Sequence, residues 1–197
     1  MDLSRAALRH CRTPIFYFEG DTWLESEVQG RLAVYDRFIS DRAFGQKVRL
    51  LQVPGEEFLP RDRYIRVGSS VGITYIVQSV NEDRNEHSSY MNTYMIRSAN
   101  NEVEIYHKVE KTIASGQKKT SWELLTRAWG DFDRQGTLNS DELDVSYSAF
   151  VLNLPLSQAV PPDARFKIAG RWYAPMEDYR MLETLQIRMR GINGEPT

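Results

Sequence analysis

The stretch VEIYHKVE, residues 103–110, sets Val103, Ile105 and Val109 against Glu104, Lys108 and Glu110. Alternation with period two puts successive side chains on opposite faces, which is the signature of a half-buried β-strand and does not fit a helix. LQIRMR, 185–190, repeats the pattern with Leu185, Ile187 and Met189 against Gln186, Arg188 and Arg190. Two further runs, ITYIVQSV at 73–80 and YMNTYMI at 90–96, are dense in β-branched and aromatic residues. The polar stretch NEDRNEHSS between them predicts a hairpin. Gly, Pro or Asn clusters punctuate the rest at intervals of about ten residues, the rhythm of small sandwiches and barrels. One short helix is expected at the N-terminus, where Asp2 can cap LSRAALRHC and Pro14 forbids its continuation.

With 197 residues the chain has room for one generous domain or two small ones. A recurring frame favours two. PRDRYIRVG sets Pro60, Arg63, Tyr64 and Gly68, and PPDARFKIAG sets Pro162, Arg165, Phe166 and Gly170 at a constant offset. Upstream, Tyr35 and Phe38 answer Tyr147 and Phe150, and GDTWLESEV resembles QGTLNSDEL, with a longer loop in the first copy. The polar, glycine-containing stretch ASGQKKTS, Ala114 to Ser121, reads as the join. The expected organisation is an N-terminal helix plus first β-domain over 1–113, a linker over 114–121 and a second β-domain over 122–197. The fold class is mainly β, with two small antiparallel barrels or sandwiches.

Charge narrows the function. Lys and Arg total 25 against 27 acidic residues. Both halves are balanced, with 15 cations and 16 acids up to Ser115 and 10 and 11 after it. Autonomous, tight DNA binding rests on many phosphate contacts and a basic excess, so it is not expected. Cys11 is the only cysteine, which excludes an intramolecular disulfide and thiolate zinc sites. No apolar run reaches signal-peptide or membrane-spanning length, so the chain reads as a cytosolic globular protein.

One stretch imitates a metal site. DFDRQGTLNSDE, 131–142, puts Asp131, Asp133, Gln135, Gly136, Asn139 and Glu142 at the spacing of an EF-hand calcium loop. An EF-hand needs a helix after the loop, whereas LDVSYSAFVLNLP alternates Val145, Tyr147 and Ala149 with Asp144, Ser146 and Ser148 before Pro155. A turn between strands is the expectation, and a calcium module using Asp131, Asp133, Gln135 and Glu142 is the alternative. His10, His87 and His107 are scattered, and His10 and Cys11 would point about 100° apart on a helix, so neither makes a nucleophile and base. No phosphate loop, nucleophile elbow or zinc-protease motif occurs. The paired carboxylates Glu56-Glu57 and Asp141-Glu142 read as solvated turns, and Trp23, Trp122, Trp129 and Trp172 as core or subunit-contact anchors. No enzyme, cofactor or metal is expected.

SGQKKTSWELLTRAWGDFDRQG and DARFKIAGRWYAPMEDYRMLETLQIRMRG resemble the small head–tail joining proteins of tailed bacteriophages, called head closure, head completion or stopper proteins. Trp129, Gly130, Phe132 and Gly136 match the first part of the family pattern. Arg165, Gly170 and Tyr173 match the middle, and Leu182, Leu185, Ile187 and Arg188 the end, over about residues 114–191. Ala174-Pro175 departs from the family's β-branched run, and a proline there suggests a sheet edge. The first half would be a divergent second copy. The resemblance implies a structural virion protein assembled in the host cytoplasm. Its subunits would form a ring of roughly six or twelve copies between portal and tail. That ring would extend the DNA channel, retain packaged DNA, and meet a portal or adaptor above and a tail tube or terminator below. A tail-terminator or baseplate subunit is the alternative within the same class. The loop from Arg42 to Phe58, the stretch 114–121 and NLPLSQAVPP are the expected contacts with neighbours, because the apolar residues Leu50, Leu51, Leu154 and Leu156 need burial.

Overall fold

The computed structural model describes residues 12–19, 21–33, 48–54, 58–81, 91–112, 116–140, 145–180 and 184–194. All regular structure among them is strand. The first six are β1 (Thr13–Glu19), β2 (Thr22–Ala33), β3 (Val48–Pro54), β4 (Tyr64–Val67), β5 (Thr74–Asn81) and β6 (Met91–Ser98). The second six are β7 (Asn101–Thr112), β8 (Lys118–Ser140), β9 (Val145–Leu154), β10 (Arg165–Ile168), β11 (Arg171–Arg180) and β12 (Leu185–Ile192). The chain divides into two compact units, Met1–Ala99 and Asn100–Thr197. The expected N-terminal helix, Tyr35 and Phe38 lie outside the described residues.

Each unit is a closed antiparallel barrel. In the first, the meander β1-β2-β3 joins the meander β6-β5-β4 through β3 and β6, and β4 closes on β1. In the second, β7-β8-β9 joins β12-β11-β10 through β9 and β12, and β10 closes on β7. The two rings correspond strand for strand. They also correspond in register: Ile65 stands between Tyr17 and Tyr75, and Phe166 between Ile105 and Tyr173. A bulge interrupts β5 against β6 between Val77 and Ser79, and β11 against β12 between Pro175 and Glu177.

This correspondence moves the sequence frame by one residue. Arg63 over Arg165 would place Tyr64 at the position of Phe166, yet Phe166 is buried and Tyr64 is half-buried on the outer side. The structural partners are Ile65 with Phe166 and Arg66 with Lys167. A slip of one residue inverts every side chain of a strand, so burial decides the frame where residue identity misleads.

The join moves as well. Of ASGQKKTS, Lys118 to Ser121 belong to β8 and not to a linker, since Asn101↔Gly130 through Thr112↔Lys118 form one antiparallel ladder with a single bulge. The units meet at Ala99–Asn100, between the end of β6 and the start of β7. Hairpin tips and linkers share small polar residues and glycine because both need φ freedom and exposed backbone, so composition alone does not separate them.

Ile15, Leu51, Val53, Ile65, Val77 and Ile96 fill the first barrel. Val103, Ile105, Leu152, Leu154, Phe166 and Ile187 fill the second. In each barrel one long strand changes partner at a glycine. β2 pairs with β1 as far as Gly30 and with β3 from Arg31. β8 pairs with β7 as far as Gly130 and with β9 from Asp131. A Cβ at Gly30 would lie 2.9 Å from Leu51 Cδ1 and 3.2 Å from the Gln52 carbonyl oxygen. At Gly130 it would lie 2.4 Å from Leu152 Cδ1 and 3.3 Å from the Asn153 carbonyl oxygen. The turning strand passes too close to the strand it turns onto for any side chain, which is where glycine in a strand has a positional reason. Pro175 sits where β11 has lost β10 and keeps only β12, so its missing N–H falls on an unpaired edge.

Candidate functional site

The acidic frame lies within β8. Asp131 through Ser140 are extended and in register with β9, from Asp131↔Asn153 to Ser140↔Val145. A strand rises about 3.3 Å per residue, so the frame's first nine positions run away from one another instead of closing round an ion. Asp131 is buried and Asp133 exposed. Gln135 follows on the same strand, and Glu142 lies outside the described residues. The EF-hand alternative is therefore not compatible with this backbone: β9, where a calcium loop needs its second helix, is a strand from Val145 to Leu154. Among the described residues no three acidic, histidine or cysteine side chains converge as metal ligands would.

Of the apolar residues expected to face neighbours, Leu51, Leu154 and Leu156 turn inward, and Leu50, half-buried on the opposite face of β3, does not. Leu51 belongs to the first core on β3, and Leu154 to the second on β9. In NLPLSQAVPP, Leu156 and Val160 pack against the second core, closing one end of that barrel. Leu59, in the matching β3–β4 connection, is buried in the first core, with its N–H donating to Tyr94 Oη at 3.1 Å. Residues 42–47 and 55–57 of the first proposed contact loop lie outside the described residues, as do His10, Cys11, Glu56, Glu57, His87, Asp141 and Leu182. Of the four tryptophans Trp172 is buried, as a core anchor would be, though none falls in the two main core clusters. Trp23 carries the Arg66 guanidinium 4.0 Å above its ring, and Trp172 carries the Lys167 ammonium at 5.4 Å.

The β7–β8 hairpin is the most distinctive exposed element. β10 pairs with β7 only from Val103 to Tyr106, and β9 joins β8 only from Asp131. Residues 107–112 and 118–123 therefore continue as a two-stranded ribbon with no third strand in the ladder among the described residues. Leu125 is an extra residue at its base, since Ile105 faces Thr126 and Tyr106 faces Leu124. Such a bulge sharpens the twist and bends the bulged strand. Leu124 and Leu125 are 44% and 42% exposed there.

The ribbon is cationic. Residues 107–123 hold four lysines and two glutamates. Lys111 stands directly opposite Lys119, an unfavourable cross-strand pair, and hydrogen-bonds to Glu123. That hydrogen bond, with the Lys111 charge and a lesser contribution from His107, holds the Glu123 carboxyl below its usual range. Lys118 Nζ lies 3.5 Å from Glu110 Oε2 on the other face. Lys108 and Lys119 form no ion pair among the described residues.

A second feature, largely shielded, adjoins the ribbon's base. Tyr106 and Trp172 pack with ring centroids 4.6 Å apart, and Arg165 lies 5.0 Å from the Trp122 ring. Tyr106 Oη donates to Glu104 Oε2 at 3.0 Å, and Arg127 Nη2 reaches Glu104 Oε1 at 3.4 Å. Beside Trp172 an open groove of about 710 Å³ is lined by Phe150, Lys167, Gly170, Arg171, Tyr173 and Gly191 among others. Burial pushes the Tyr173 hydroxyl above its usual value, so it is neutral near pH 7. The lining offers no carboxylate, thiol or imidazole. Both features join residues that stand far apart in sequence, which a reading by local motif does not connect. The ribbon had a local signal, the lysines on either side of Gly116, masked by its resemblance to a linker.

No family model matches this chain. No curated protein and no solved structure matches it either.

Proposed function

We propose that this chain is a structural subunit of a tailed-phage neck, forming a ring between portal and tail that extends the DNA channel and retains packaged DNA. The observation that carries the reading is the tandem of two barrels with one topology, whose second member spans the stretch resembling head–tail joining proteins. Three of the residues that carry the resemblance hold special places in that barrel. Gly130 is the pivot of β8, Gly170 occupies the β10–β11 turn at φ +77°, and Tyr173 is buried in the core beside Phe132 and Phe150. A ring subunit needs rigid bodies to stack and projecting segments to reach its neighbours and the channel. Small closed barrels with the β7–β8 ribbon supply both. Head-to-tail contacts that close by rotation give such rings.

The test is assembly with the chain's genomic neighbours. Co-expression with an adjacent portal gene should yield rings of roughly six or twelve copies seated on the portal in electron micrographs. The reading falls if portal, capsid and tail genes are missing from the neighbourhood and the protein forms no ring with any neighbouring product.

A further inference from the structure

We infer that the β7–β8 ribbon is a DNA-contacting element that meets the phosphate backbone weakly and without regard to base sequence. The inference draws on the neck reading for why DNA would be close, while the contact itself rests on the ribbon's own chemistry. The local charge is opposite in sign to that of the whole chain, which is −2. Two of the four lysines are engaged with Glu123 and Glu110, which hold the ladder together against the Lys111–Lys119 opposition. The other two, Lys108 and Lys119, stand on opposite faces of the ribbon, so a cation is presented whichever face meets the strand.

Shape and surface chemistry agree with this charge. A two-stranded ribbon fits the major groove of duplex DNA, and phosphate contacts need only cations, hydroxyls and backbone N–H groups. The exposed positions beyond the base, Glu110 to Thr112 and Gly116 to Thr120, are all polar apart from glycine. Thr112 and Thr120 add hydroxyl donors. A protein-docking ribbon would carry apolar anchors along this length. Here the two apolar side chains of the described ribbon, Val109 and Trp122, are half-buried, Trp122 beside Arg165, and the exposed leucines, Leu124 and Leu125, are confined to the base.

One uncompensated lysine on each face corresponds to about one phosphate contact per copy for a DNA strand that meets one face. Counterion release then gives a slope near −1 in log affinity against log salt, roughly a three- to fourfold loss between 50 and 200 mM. A contact of this strength retains DNA when repeated around a ring and still releases it to movement.

The experiment is a nuclear magnetic resonance titration of the isotope-labelled full chain with a short duplex of mixed sequence at low salt. Amide shifts should concentrate in 107–112 and 116–123, with the salt slope given above. The double variant Lys108→Gln/Lys119→Gln should lose most of the response. Arg12→Gln/Arg61→Gln, which removes the same charge from exposed positions of the first unit, should keep it. An unchanged thermal midpoint in both variants confirms that folding is intact. The inference is overturned if shifts map elsewhere, if none appear, or if the lysine double variant responds like the parent chain. A protein that forms neck rings but ignores DNA refutes this inference alone, and one whose ribbon binds DNA but which never joins a portal refutes the neck reading alone.

Discussion

The first hairpins of the two barrels do the same structural work and end differently. β1 and β2 run together only to Glu19↔Thr22, where the chain turns back through Asp21 at φ +68°. β7 and β8 run on to Thr112↔Lys118, past the point where the barrel wall ends. The rest of the ring is shared, including strand order, the bulge on the fifth strand and the glycine at which the second strand changes partner. Residues inside the wall are held by a core that tolerates no slip. Those beyond it answer only to their partner strand, so one hairpin could lengthen while its counterpart stayed short.

The sharpest way to break this equivalence is to truncate matched core positions. Phe166 and Ile65 are both fully buried, in the second and first cores respectively. Phe166→Ala should cost about 3–5 kcal/mol and Ile65→Ala about 2–5 kcal/mol. Hydrogen exchange should show each loss concentrated in its own unit. A loss spread evenly over both units would show that the barrels do not fold as separate bodies.

A smaller effect distinguishes the pivots. Gly30→Ala and Gly130→Ala should each destabilise by about 1–3 kcal/mol, because the added Cβ would crowd the core leucines and backbone of the adjoining strand, β3 or β9. Chemical denaturation of both variants compares the two positions directly. If either substitution is neutral, that glycine is not the constraint on its barrel and the correspondence weakens at that point.

The smallest effect belongs to the ribbon alone. The folded-state value of Glu123 is depressed, so its contribution is present above the ordinary carboxylate pKa and is lost as pH falls through the folded value. Both side chains of its pair with Lys111 are well exposed, so the global midpoint should hardly move. Amide exchange at 109–112 and 118–121 should nonetheless speed up in acid. Lys111→Gln should remove most of that acid sensitivity, and an unchanged profile in this variant would show that the ion pair does not hold the ribbon.

Strands were legible wherever one face is buried and the other wet. Val103 and Ile105 are buried in β7, and Leu185, Ile187 and Met189 in β12, as their alternation requires. The β5–β6 hairpin was legible from β-branched density, and the edge position of Pro175 from its missing donor. The presence of two β-units was legible too, but the frame that relates them was not. Arg63 and Arg165 look alike, whereas the inside of a barrel cares only which residues point inward, and that favours Ile65 with Phe166. The unit boundary was obscured because a hairpin tip and a linker draw on the same residues. The polar row Asp131, Asn153 and Gln186 was beyond local reading. All three are buried, and Gln186 Nε2 donates to Asn153 Oδ1 at 3.1 Å, a contact between strands 33 residues apart in sequence.

β8 is 23 residues long, a contour of about 75 Å of uninterrupted backbone. It enters as one strand of the ribbon, crosses the barrel, and leaves as one strand of the β8–β9 hairpin, changing ladders once at Gly130. Tension on the ribbon is thus borne along a single covalent thread to the hairpin beyond, with the barrel acting as a bearing around it.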